Sequence, residues 1–241
     1  MLNSVGLQGP GVARWLADDL PLLQHAKARV VASIWGRSVD EYAAAAAALA
    51  GVAPDIVAVE VNLSCPNLDG GRHLFAQSAV STAAAIGAVV AALDRPVWAK
   101  LTAQVTNLVE IAEAAAAAGA EAVTLINTML GMAIDPATRR YRLGAGPGGG
   151  GLSGRAIHPI AVRAVHDVHA ALPLLPIVGA GGVAGGEDAV ELLLAGASAV
   201  QVGTATFADP NAPRRVLDEV GEWCTRNRVG ALGEIIGGAH G

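Results

Sequence analysis

Short runs rich in Val and Ile alternate with longer stretches of helical periodicity from one end of the chain to the other. The runs occupy residues 29–35, 55–63, 96–101, 121–127, 175–179 and 197–202. The segments between and after them predict helices. One starts at Ser38, with Glu41 three residues on as a capping box, and stops before Gly51. Others cover residues 107–118, ended by Gly119, then 159–172, 187–195 and 212–226. Continuous apolar runs separated by helices predict a parallel sheet covered on both faces.

Two α/β architectures satisfy that pattern. Gly179-Ala180-Gly181-Gly182-Val183-Ala184 follows a strand and matches the dinucleotide-binding GxGxxA turn. That turn belongs to the first βαβ unit of a doubly wound sheet and needs an acid about 20 residues on. Here it comes late in the chain, and the position in question is Val200-Gln201. A (β/α)8 TIM barrel explains more, because barrels often bind phosphate with the loops after strands 7 and 8. The last two runs end in Gly-rich turns, at residues 179–182 and at Gly203-Thr204. The six runs are then strands 3–8, strands 1 and 2 are missing, and residues 1–241 form one incomplete barrel domain. Residues 129–154, with four consecutive glycines at 148–151, are expected to form one extended loop on the functional face.

Composition narrows the class. Hydrophobic residues make up 53% and charged residues 15% of the 241, below the roughly 25% charged of an average soluble chain, so disorder and coiled coil are excluded. A net charge of −5 argues against nucleic acid or an anionic membrane as partner. The Ala-rich stretch 78–93 is shorter than the roughly 20 residues of a membrane span, and the start lacks the basic and apolar regions of a signal peptide. Two cysteines, Cys65 and Cys224, form no disulfide scaffold and fit a reducing compartment. The expected setting is cytoplasmic, with no membrane.

Candidate chemistry gathers where strands end. Asn62-Leu63-Ser64-Cys65-Pro66-Asn67 places two amides, a hydroxyl and a thiol after an apolar strand. Asn62 and Asn67 each donate and accept, which suits a planar substrate bearing imide and carbonyl groups. A lone Cys65 would read as a structural thiol; within this cluster it reads as a base or nucleophile. Lys100 ends another apolar strand and calls for an anionic or electron-rich partner. Asn127-Thr128 ends a further one. Gly181-Gly182 and Gly203-Thr204 offer backbone N–H groups near helix starts, the chemistry of phosphate binding. The histidines lack metal-ligand spacing, Cys224 beside Trp223 reads as core, and no metal site is expected.

The Asn62–Asn67 segment resembles the catalytic loop of class 1 dihydroorotate dehydrogenases. The likeness covers essentially the whole chain: residues 2–8, Lys100, Ile126-Asn127-Thr128, Gly151-Leu152-Ser153-Gly154, 179–183 and 202–205. Residues 126–140, followed by Gly-Leu-Ser-Gly, look most like class 1B, the NAD-linked form. The resemblance implies FMN and the oxidation of dihydroorotate to orotate in pyrimidine (UMP) synthesis. Cys65 would remove the C5 proton while hydride leaves C6 for the flavin. Asn3, Gly6, Leu7, Asn62, Asn67, Asn127 and Thr128 would bind substrate. Asn62, Lys100, Ile126, Gly154, Gly181, Gly182, Gly203 and Thr204 would bind FMN, Lys100 beside the N1/O2 edge and the last four around the phosphate.

Class 1B enzymes pass electrons to NAD through a second subunit carrying FAD and an iron–sulfur cluster, which two cysteines here could not hold. The resemblance thus implies that partner, and a homodimer or heterotetramer. Family members begin about 60 to 70 residues earlier, in keeping with two absent β/α units. The expectation is a fragment or mis-started frame, with family identity intact and activity in doubt. Alternatives are another FMN barrel reductase, of dihydropyrimidine or dihydrouridine type, and an inactive barrel fragment.

Overall fold

A strand with almost no polar side chains is stable only where both of its faces are covered. The computed structural model, which describes residues 1–51, 56–64, 75–143 and 149–241, builds its sheet from such strands. In chain order the strands are β1 (Leu2–Asn3), β2 (Val30–Ile34), β3 (Ile56–Asn62), β4 (Val97–Lys100), β5 (Ala122–Leu125), β6 (Met129–Gly131), β7 (Ile134–Asp135), β8 (Arg140–Tyr141), β9 (Gly150–Leu152), β10 (Ile177–Ala180) and β11 (Ala199–Gln201). The six expected runs become β2, β3, β4, β5, β10 and β11, all parallel, in the order β11-β10-β5-β4-β3-β2. Every residue of the central strands β5 and β10 is buried. The edge strands are more open: Val31 on β2 and Ala199 on β11 are exposed.

The sheet is curled. β3 and β11 are four strand spacings apart, about 19 Å if the sheet were flat. Yet the Glu60 carboxylate on β3 accepts a hydrogen bond from the Gln201 amide on β11 at 2.9 Å. Only a sheet rolled toward closure brings those side chains together, so the fold is α/β and barrel-like.

Helices α3 (Val39–Ala47), α4 (Ala79–Ala92), α5 (Leu108–Ala117), α6 (His158–Ala171), α7 (Gly186–Leu194) and α8 (Ala212–Asn227) each pack on the next around the sheet. The starts of α3, α4 and α5 follow side-chain capping chemistry. The Ser38 hydroxyl accepts from Glu41 N at 3.2 Å, and Asn107 Oδ1 accepts from Glu110 N at 3.3 Å. The reciprocal half of the box is displaced, because the Glu41 carboxylate accepts from Arg37 N at 2.7 Å instead of Ser38 N. Cys224 is partly buried on α8 against the core.

Three features depart from expectation. Residues 78–93, read only as Ala-rich, form α4, capped by Ser78; a nearly uniform apolar stretch carries no amphipathic period to read. Residues 12–25, for which no element is expected, are helical: α1 (Val12–Arg14), a π-helical turn over Trp15–Asp19, and α2 (Leu20–His25). Finally, residues 129–154 are not one extended loop. β6 and β1 flank β9 in an antiparallel sheet, and β7 pairs with β8. Glycine makes this possible: a Cβ at Gly150 would collide with the Asn3 carbonyl, and one at Gly151 with the Thr128 hydroxyl. Among the described residues, no helix is long and apolar enough to cross a membrane, and no cluster of His, Cys, Asp and Glu could hold a metal ion.

Candidate active site

The parallel strands finish at matching register. Asn62 on β3 lies opposite Lys100 on β4, Lys100 opposite Thr124 on β5, and Ala180 on β10 opposite Gln201 on β11. A cavity of about 610 Å³ opens at these carboxyl ends, within the range of small-molecule and cofactor sites. Of the residues expected to bind, Lys100, Ile126, Asn127, Thr128, Gly154, Gly181, Gly182, Gly203 and Thr204 line it.

Asn127 is the polar hub. Its Nδ2 donates to Asn62 Oδ1 and to the Ser64 hydroxyl, both at 3.0 Å. Its Oδ1 accepts from Thr128 N at 2.7 Å, which fixes the orientation of the amide. Ser64 in turn donates to the Lys100 carbonyl at 2.9 Å, and the Tyr42 hydroxyl to the Asn62 carbonyl at 2.9 Å. Asn62, absent from the cavity lining, is thereby tied to a residue that lines it. Asn3 joins from the other side: β1 pairs with β9, and Asn3 Nδ2 donates to the Gly151 carbonyl at 3.2 Å, where Gly151 closes on Thr128. Gly6 and Leu7 follow β1 and do not line the cavity. Cys65 and Asn67 lie outside the described residues.

The β10 and β11 ends present backbone. Gly181 and Gly182 have φ of +139° and +74°, and a Cβ would stand 2.7 Å from Ala161 Cβ at the first and 2.6 Å from His158 Cβ at the second. Only glycine fits where the chain passes this close to α6. The N–H groups of Gly182, Val183, Thr204 and Ala205 donate to no acceptor among the described residues. Four free donors on two adjacent turns suit an anionic group.

Several contributors escaped the reading of the sequence. Glu60, buried on β3, accepts from the Thr124 hydroxyl at 2.7 Å as well as from Gln201. The signal that marked Lys100, one charge inside an apolar strand, marks Glu60 equally. His158 Nδ1 donates to the Gly181 carbonyl at 2.8 Å, and its Nε2 lies 3.2 Å from the Glu191 carboxylate, so the imidazole pins the glycine turn to α6 and α7. Arg155 and Met1 also line the cavity. Lys100 keeps some access to the cavity; burial pushes its ammonium below the ordinary lysine value, and the Glu60 charge opposes that shift.

Comparison with known proteins gives this geometry a lineage. A family profile described as dihydroorotate dehydrogenase matches residues 1–223. Dihydroorotate dehydrogenase A (fumarate) of Lactiplantibacillus plantarum is 48% identical over 213 residues, 88% of this chain and 68% of that protein. The catalytic subunit of dihydroorotate dehydrogenase B (NAD(+)) of Desulforudis audaxviator is 45% identical over 240 residues, 100% of this chain and 77% of that one. A solved DHODH of Eimeria tenella in complex with ferulenol shares the fold, with a TM-score of 0.69 at 23% identity. That match covers 84% of this chain and 58% of the solved one.

Proposed function

The chain belongs to the dihydroorotate dehydrogenase family, and from that premise we propose that it oxidises dihydroorotate to orotate in pyrimidine synthesis. The observation that carries the reading is the union, in one cavity, of an oriented amide cluster, a lysine and a cradle of free N–H groups. The six parallel strands fit strands 3–8 of a (β/α)8 barrel, whose chemistry lies at the carboxyl ends.

The residues present fit FMN. The free N–H groups of Gly182, Val183, Thr204 and Ala205 would hold its phosphate, and Gly154 and Ile126 would line it. Lys100, two strands away from β10, would meet the electron-rich edge of the ring and stabilise negative charge there. When bound, FMN supplies the hydride acceptor. Asn62, Asn127 and Thr128, with Asn67 and Asn3, orient the planar substrate; Cys65 takes the C5 proton as general base. Gly6 and Leu7 lie off the cavity lining.

For the final acceptor we propose NAD, through a partner subunit carrying FAD and an iron–sulfur cluster. B-type catalytic subunits recur among the relatives, two of them 45% and 43% identical over 100% and 98% of this chain, while A-type proteins match at 48% over 88% and 41% over 98%. The similar A-type proteins make fumarate the specific rival. An acidic chain with two cysteines supports a cytoplasmic setting and small-molecule chemistry, away from nucleic acid.

Anaerobic addition of dihydroorotate to FMN-loaded protein should bleach the flavin, and dihydrouracil should not. Bleaching by dihydrouracil alone would reassign the chain to another flavin reductase, and no bleaching by either would leave a non-catalytic barrel. Reoxidation by fumarate without any partner would favour the A-type acceptor.

A further inference from the structure

Two ionisable side chains occupy neighbouring strands at the interior of the curled sheet: Glu60 on β3 and Lys100 on β4. Glu60 is only 6% exposed, and one oxygen, Oε2, accepts both the Thr124 hydroxyl and the Gln201 amide. Both donors are neutral, so they supply hydrogen bonds but no counter-charge. A buried carboxylate needs a counter-charge as well as hydrogen bonds. Lys100 is the cation beside it, and no described residue lies within hydrogen-bond or ion-pair distance of the Lys100 ammonium. The other cations at the cavity are engaged: the Met1 amine donates to the Ser153 carbonyl at 2.7 Å, and Arg155 faces Asp188 at 3.8 Å.

We propose that Glu60 is a positioning residue that acts through Lys100: a tethered negative charge that keeps the ammonium protonated in the cavity without occupying its donors. The tether matters. Thr124 on β5 and Gln201 on β11 both donate to Glu60 Oε2, at 2.7 and 2.9 Å, and in that held position the carboxylate makes no contact pair with Lys100. A contact pair would consume the N–H groups that a ligand needs. A carboxylate beyond bonding distance supplies Coulombic support through a low-dielectric interior and leaves all three donors for the ligand. The direction of the two influences on Lys100, burial against Glu60, agrees with this arrangement. Only the ligand's identity as a flavin rests on the proposed function; the pairing itself does not.

The chain has two lysines, Lys27 and Lys100, so a lysine-specific probe reads the site almost alone. Flavin-free protein carrying 13C at lysine Cε is titrated by NMR, with Lys27 as internal reference. In Glu60→Gln the Lys100 midpoint should fall by about one pH unit or more while Lys27 stays put. An unchanged Lys100 midpoint overturns the proposal. If Glu60→Gln does not fold, the double variant Glu60→Gln/Lys100→Met decides: recovered folding supports the pairing, and continued failure while Lys100→Met folds overturns it. FMN added to the wild-type protein should also move the Lys100 resonance. No response to FMN would sink the flavin reading, with the titration still deciding the role of Glu60.

Discussion

The two sides of the cavity are made of different material. On β3, β4 and β5 the chemistry is in side chains: Glu60, Asn62, Lys100, Thr124 and, just beyond the strand, Asn127. Beyond β10 and β11 it is in the main chain: Gly181, Gly182, Val183, Gly203, Thr204 and Ala205 line the space, and the N–H groups of Gly182, Val183, Thr204 and Ala205 donate to no acceptor among the described residues. A side chain can lose its function to an isosteric replacement while the chain path stays intact. A backbone donor can be lost only by moving the chain. The substrate side should therefore answer substitution through rate and affinity, and the cradle side through cofactor retention and stability.

Cys65 offers the largest contrast. Cys65→Ala should lower turnover of dihydroorotate by about 10²- to 10⁴-fold, the usual contribution of a general base, with FMN content unchanged. Loss of FMN in that variant would erase the division between the two sides. On the cradle side, Gly182 and Gly203 form a matched pair. An alanine at Gly182 must adopt φ +74° and meet His158 at 2.6 Å. That costs about 1–2 kcal/mol for the left-handed backbone alone, plus the clash. Gly203 has a negative φ, −108°, and nothing within 4 Å of the place a methyl group would take, so alanine there should cost less than at Gly182. Denaturant unfolding and FMN retention should separate Gly182→Ala from Gly203→Ala, and equal losses would show that room for the chain is not what the glycines provide.

A smaller effect is expected for Asn127→Asp. The change keeps the shape but puts a carboxylate oxygen where Nδ2 now donates to Asn62 Oδ1 and Ser64 Oγ. Weakened substrate binding of about 1–3 kcal/mol, read as a rise in KM with FMN retained, is the expected result. An unchanged KM would remove Asn127 from the substrate side.

The same division governs what could be read from the residues. The six strands were legible because their apolar runs are bounded by Gly, Pro and Asn, and Lys100 and Asn127 because a polar residue closes such a run. Glu60 was missed although it obeys the same rule, because its partners Thr124 and Gln201 lie 64 and 141 residues away. The glycine turns were legible as turns with free N–H groups at strand ends, but not the imidazole of His158 that anchors one of them through a main-chain carbonyl. The hairpins inside 129–154 were hidden because glycine in a sequence signals a loop, whereas here it lets β9 close on Asn3 and Thr128.

The far end of α6 gives a control for the whole comparison. His158 opens that helix at the cradle, and His169 stands 11 residues on, about 16 Å along the axis. There His166 and His240 stack at 4.0 Å, and His169 tilts against His240 at 4.9 Å. Burial pushes His169 below the ordinary histidine range, and the charges of His240 and His166 add to the shift. The unfolded chain binds this proton near pH 6.5, the folded chain only at lower pH. Between those values the unfolded state holds more protons, so stability must rise with pH through that window and be lost as pH falls. A modest increase in Tm from about pH 5 to about pH 7 is expected, and His169→Gln should flatten it. FMN content should stay level across the same titration, because the cluster touches neither side of the cavity. A slope that survives in His169→Gln would assign the pH dependence to other groups. A loss of FMN that tracks Tm and disappears in the variant would mean that α6 carries the strain to His158, and that the cradle depends on how the helix is held at both ends.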